Sequence, residues 1–158
     1  MSITIKTIES LHDISLDEWN SLAGEIFPFV KYEFLIALEN HGAVGKDFGW
    51  LTHFFLAYDN DTLVGTLPVY IKFNSYGEFV FDWAWADAYQ QTNIRYYPKL
   101  VTSIPYTPAT GPRLLIQDKE NYNQIADILI NAVLSFAKSS GISSYHCLFT
   151  NEKDTPYF

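Results

Sequence analysis

Asp82 and Asp87 bracket a Trp83/Trp85 pair. A carboxylate set among indole rings is poorly solvated as an anion, so its pKa rises toward the range in which it can take a proton from an amine. Asp87 is the expected general base of such a site and Asp82 its companion; a helix cap or a solvated surface charge is the competing role for each. Residues 94–113, IRYYPKLVTSIPYTPATGPR, then collect four prolines, three tyrosines and three of the chain's ten basic residues. Proline fixes φ and lowers the entropy lost on ordering, so Tyr97, Lys99, Tyr106, Thr107 and Arg113, with Trp85 nearby, are candidates for a preformed binding surface. Lys99 and Arg113 are the two cations that would hold an anionic group. A stiff loop crossing the end of a sheet is the alternative reading of the same stretch.

The other common constellations are missing. His12, His41, His53 and His146 have no i,i+4 pairing and there is no Cys-x-x-Cys, so no metal site is expected. The sequence contains no Gly-x-Ser-x-Gly elbow, no Walker loop and no Gly-x-Gly-x-x-Gly. Pro105, Pro108 and Pro112 lack the backbone N–H groups from which a phosphate cradle ahead of the next helix would be made.

A chain of 158 residues fits one domain able to bury a core without disulfides or metal. Its single cysteine, Cys147, lies in an apolar run and reads as a buried free thiol. No secretory leader pattern opens the sequence, and no apolar run is long enough to span a bilayer; a cytoplasmic location is expected. The net charge of −8 argues against DNA and against tRNA, whose phosphates are bound by clustered Lys and Arg. Charge is unevenly spread: Lys72 to Arg113 holds four basic and three acidic residues, a net +1 that leaves −9 for the remainder. That segment is also the most aromatic, with Tyr70, Phe73, Tyr76, Phe79, Phe81, Trp83, Trp85, Tyr89, Tyr96, Tyr97 and Tyr106, most of which read as core.

The elements that must position these residues follow from local signals. Ile3–Lys6 reads as a strand, and Ser15-Leu16-Asp17-Glu18 as a capping box, with Ile14 and Trp19 placed as a hydrophobic staple. That helix stops before Phe27-Pro28, and a second, carrying Phe34, Leu35 and Leu38, runs to Gly42. From Leu51 the period changes. LTHFFLAY, a turn at 59–61, TLVGTLPVYIKF, a turn at 74–77 and EFVF predict an antiparallel meander, with Pro68 marking an edge or bulge. An extended segment follows, then a helix over 120–140 with Ile125, Leu129, Ala132, Val133 and Phe136 on one face, and a strand in 143–149. This order predicts an α/β (α+β) layered domain with a mixed, mainly antiparallel sheet flanked by helices.

Four stretches resemble the FemAB-like family of predicted N-acyltransferases, associated with peptidoglycan biosynthesis or recognition. They are PFVKYEFLIALENHG (28–42), GW (49–50), LVGTLPVYIKFNSYGEFVFDWAWADAY (63–89) and YYPKLVTSIPYTPATGPRLL (96–115). The resemblance covers about residues 15–150; Asn74 stands where the family tends to have His, and Tyr106 where it tends to have Phe. It implies a GNAT-like fold, with residues 1–158 as one domain corresponding to the N-terminal half of a longer member and stopping after the fifth core strand. It also implies acyl or aminoacyl transfer to an amine of a cell-wall precursor or other small acceptor, with acyl-CoA or aminoacyl-tRNA as donor and no covalent enzyme intermediate. The alternative is a non-catalytic half that recognises a peptidoglycan-type sugar or peptide. An uncovered strand edge and apolar face would make such a half a homo-oligomer.

Overall fold

In the computed structural model, residues 2–80 and 82–158 are described. Two four-stranded sheets, ordered β1-β3-β4-β7 and β2-β5-β6-β8, are mostly antiparallel, and four α-helices flank them, so the fold is the mixed α/β type expected. The strands are β1 (Ile3–Ile8), β2 (Trp50–Thr52), β3 (Phe54–Asp59), β4 (Thr62–Leu67), β5 (Tyr70–Lys72), β6 (Lys99–Thr102), β7 (Leu115–Ile116) and β8 (Tyr145–Cys147). The helices are α1 (Leu16–Ala23), α2 (Tyr32–Asn40), α3 (Trp83–Gln91) and α4 (Tyr122–Ser139).

One long hairpin connects the two sheets. Its arms, β2–β3 and β4–β5, both break at the same level, where His53 N–H donates to the Val69 carbonyl at 2.9 Å. Pro68, expected to mark an edge or a bulge, has no N–H to give the ladder and lies in the break between β4 and β5, while the register shift of the hairpin falls at Ala57/Tyr58. The run Phe54-Phe55-Leu56-Ala57 is apolar on consecutive positions because both faces of β3 are covered. Phe54 and Leu56 enter a core with Trp19, Leu22 and Leu35 of α1 and α2, while Phe55 and Ala57 enter a second core with Ile125, Leu129 and Val133 of α4. Gly65 of β4 lies against α4, and a Cβ there would stand 2.6 Å from Ile125 Cγ2.

Ser15 caps α1 by accepting from the Glu18 N–H at 3.2 Å. The return half of the capping box is replaced by a tertiary contact, because the Glu18 carboxylate accepts from the Tyr58 hydroxyl at 2.8 Å. Two expectations change. Glu78, Phe79 and Val80 do not form a strand, Phe81 lies outside the described residues, and the partner of β5 is β6. Residues 83–91, expected to be extended, form α3. Among the described residues no helix is long and apolar enough to cross a membrane.

Candidate functional site

Lys72, the last residue of β5, pairs directly with Lys99, the first of β6, and both side chains are fully buried. Two ammonium groups side by side in the interior must draw carboxylates to them. The turn after β5 supplies Glu78 and the entry to α3 supplies Asp82, both buried. Lys99 Nζ donates to Glu78 Oε2 at 2.7 Å, to Ser75 Oγ at 3.0 Å, and to Asp82 Oδ2. Lys72 Nζ donates to the Tyr76 carbonyl at 3.0 Å, stands 3.6 Å over the Trp50 ring and lies 3.9 Å from Glu78 Oε1. Glu78, outside any strand, and Asp82, at the N-terminal cap of α3, thus supply the countercharge.

Titration follows from burial and these partners. Burial, only partly offset by Glu78, pushes the Lys72 amine down to about 7. Burial pushes the Glu78 carboxyl up against the opposing hydrogen bond from Lys99. For Asp82, burial acts upward, but hydrogen bonds from Lys99, Ser75 and Tyr96 outweigh it and hold the carboxyl at about 2. The rise expected for an aspartate among tryptophans is therefore reversed: its donors stabilise the anion more than burial penalises it.

Asp82 also lines a cleft of about 400 Å³, together with Val80, Trp85, Tyr89, Tyr96, Ser144 and His146. Trp85 and Tyr89 lie four apart on α3 and so share a face; Ser144 and His146 lie two apart at β8 and share the other wall. Tyr96 donates its hydroxyl to Asp82 Oδ2 and packs edge-on against Tyr89 with ring centroids 5.1 Å apart. Asp82 Oδ1 is buried and has no hydrogen-bond partner. His146 Nε2 lies 3.1 Å from Ser144 Oγ. Burial, reinforced by Lys99, lowers the His146 pKa, so the imidazole is neutral at pH 7. The cleft thus gathers an ionised carboxylate, a neutral imidazole and three aromatic rings.

Of the residues singled out in the sequence, Asp82 and Trp85 line this cleft, and Lys99 stands directly behind Asp82. Tyr97 is one step removed, its hydroxyl 2.7 Å from Ser75 Oγ. Asp87 is exposed and two residues from both Trp85 and Tyr89, about 200° round the helix from the cleft face. Lys99 and Arg113 do not converge on one anion. Arg113 is buried and donates to the carbonyls of Leu148, Pro112 and Ala109 at 3.0, 3.0 and 2.8 Å. Tyr106 donates its hydroxyl to the Ala43 carbonyl at 2.8 Å, and Thr107 donates to the Pro105 carbonyl at 3.2 Å. Most of the proline-rich stretch is thus a strut, with β6 in its middle. Glu78, Tyr89, Tyr96, Ser144 and His146 escaped the sequence reading. The lysines inside the apolar runs VYIKF and YYPKLV were the signal that buried carboxylates had to follow.

Among the described residues no group of three or more His, Cys, Asp or Glu is placed to hold a metal ion. Residues 10–158 match the model of a family described as FemAB-like, peptidoglycan biosynthesis/recognition. No curated protein and no solved structure matches the chain.

Proposed function

Since the chain belongs to the FemAB-like family of peptidoglycan biosynthesis and recognition, we propose that the cleft over Asp82 binds a peptidoglycan-type precursor for N-acyl transfer. The observation that carries this reading is the aromatic-walled cleft that Trp85, Tyr89 and Tyr96 form beside the ionised Asp82 and His146. In the transfer step an amine of the precursor attacks the thioester carbonyl of an acyl-CoA donor, the amide C–N bond forming as the C–S bond breaks and CoA leaves as its thiol. His146, neutral and facing the cleft, takes the proton that the amine gives up. Lys99 acts through Asp82 rather than on the donor. The reaction belongs in the cytoplasm, where the unpaired Cys147 stays reduced.

Recognition without chemistry is the second reading. The commitment of Lys99 and Arg113 to protein partners favours it, because it leaves neither free to hold an anionic donor. Calorimetric titration of a soluble disaccharide–peptide fragment of peptidoglycan tests both readings, run with and without acyl-CoA. Saturable fragment binding that Trp85→Ala weakens at least about tenfold supports the cleft. Acylated product separates transfer from recognition, and absence of fragment binding contradicts the reading as a whole.

A further inference from the structure

Helix α3 stands outside both cores, with none of its residues buried. Its N-terminal end is the aromatic end. Trp83 and Trp85 are exposed at 63% and 67%, and Phe79 and Val80, in the segment that leads into the helix, are exposed as well. Phe79 also holds a φ of +57°, a left-handed conformation that Asn or Gly adopts more easily than a bulky ring. Neither burial nor backbone preference explains an aromatic side chain at that position. Polar side chains gather at the other end, where Gln90, Gln91, Thr92 and Asn93 are all exposed.

Charge and shape decide what can cover the aromatic end. From Lys72 to Lys99 three basic residues, Lys72, Arg95 and Lys99, balance three acidic ones, Glu78, Asp82 and Asp87, so the net charge of −8 lies wholly in the rest of the chain. Lys72, Lys99, Glu78 and Asp82 are buried with one another, leaving Asp87 and Arg95 exposed. A charged partner finds no countercharge here, and a second copy of the chain would bring two net charges of −8 together. Hollows of about 400 Å³ lie on two sides of the helix, one lined by Val80 and Trp85, the other by Ala86 and Gln90, and Tyr96 takes part in both. A rigid protein face leaves such hollows open, whereas lipid chains and headgroups flow into them. Tryptophan, with an apolar body and one polar atom, suits the zone where hydrocarbon meets water. The helix is about 13 Å long against about 30 Å of hydrocarbon, so it can enter the interface of a bilayer but not cross it.

We propose that the N-terminal end of α3, with Phe79 and Val80, docks the protein on the interfacial zone of a zwitterionic lipid bilayer. Trp83 and Trp85 settle at headgroup depth, Gln90 to Asn93 stay in water, and the acidic remainder of the chain faces away. This goes beyond the precursor-binding reading and does not depend on it, since a soluble fragment can fill the cleft without lipid and vesicle binding needs no precursor.

The test is vesicle binding by the full chain, read by co-sedimentation and by tryptophan emission. Trp19 and Trp50 are fully buried, so a blue shift on adding lipid reports Trp83 and Trp85. Phosphatidylcholine vesicles are expected to bind saturably with such a shift. Replacing about a third of the lipid with phosphatidylglycerol is expected to weaken binding at low salt, and about 0.5 M NaCl to restore it by screening the repulsion of the acidic chain. Two variants change the surface and keep the fold. Phe79→Asn suits the left-handed backbone, and Ala84→Asp, at an exposed position in the first turn of α3, puts a carboxylate where the helix dipole favours one. Each is expected to weaken phosphatidylcholine binding at least about tenfold without lowering the melting temperature. The proposal is overturned if phosphatidylcholine vesicles are not bound, if binding requires phosphatidylglycerol and is lost in salt, or if both variants bind like the parent. A blue shift that grows with protein concentration in the absence of lipid also overturns it and identifies a second copy as the occupant. Failure of vesicle binding leaves the fragment titration of the cleft standing, and failure of that titration leaves vesicle binding standing.

Discussion

Lys99 is the residue on which the site hangs, and its replacement distinguishes an interior charge group from a surface strut. Removing its ammonium leaves Glu78 and Asp82 buried with too little countercharge. Lys99→Ala is therefore expected to destabilise the fold by about 3–5 kcal/mol in urea unfolding, where an exposed lysine would cost under about 0.5 kcal/mol. pH dependence gives an independent reading. Lys72 falls from an ordinary 10.5 to about 7 on folding, so the unfolded chain holds more protons between those values, and stability rises with pH across that window. Asp82 moves from 3.8 to about 2, so its contribution is complete above pH 3.8 and is lost as pH falls through about 2. Melting temperatures measured across the pH range should show both arms, and Lys72→Met should flatten the alkaline one. An unchanged alkaline arm would show that Lys72 does not titrate there. At this scale the sequence was half legible. Asp82, Trp85 and Lys99 stood out by type, but the direction of the Asp82 shift depends on donors from residues 75, 96 and 99, which only the fold brings together.

At the scale of elements, local signals were dependable and distant pairing was not. Ser15 announced α1, Gly42 follows the end of α2 with φ +66°, and the apolar face of α4 was written in its 3.6-residue period. EFVF has the aromatic and β-branched composition of a strand, yet the partner of β5 is β6, beyond an intervening helix. Composition shows which segments suit a sheet, not which neighbour they find. Helix α3 was missed because WAWADAYQQ buries no residue deeply and so carries no apolar stripe. Helix α4 packs tightly on β4 at Gly65. Gly65→Ala is expected to cost about 1–3 kcal/mol in denaturant unfolding, because its methyl would press on Ile125, Ile116 and Leu129. A cost near zero would mean that α4 can shift away from the sheet freely.

For the molecule as a whole, the net charge of −8 and the lack of a basic stripe set the expectation for nucleic acid. A gel-shift assay at physiological salt should show no tRNA retardation by this chain, and salt-sensitive binding would refute that reasoning. The exposed side chains of Phe79, Val80, Trp85 and Ile94 give the region around α3 an apolar character. The central claim is that this region, through the cleft over Asp82, holds a peptidoglycan-type precursor. Its most direct test is a two-dimensional NMR titration of the chain with a soluble disaccharide–peptide fragment, following the Trp85 indole, the Tyr89 ring and the His146 imidazole together. Saturable shifts of all three at one common dissociation constant, with those of Tyr89 and His146 lost in Trp85→Ala, are the predicted result; no shifts, or shifts confined to residues away from the cleft, would contradict the account.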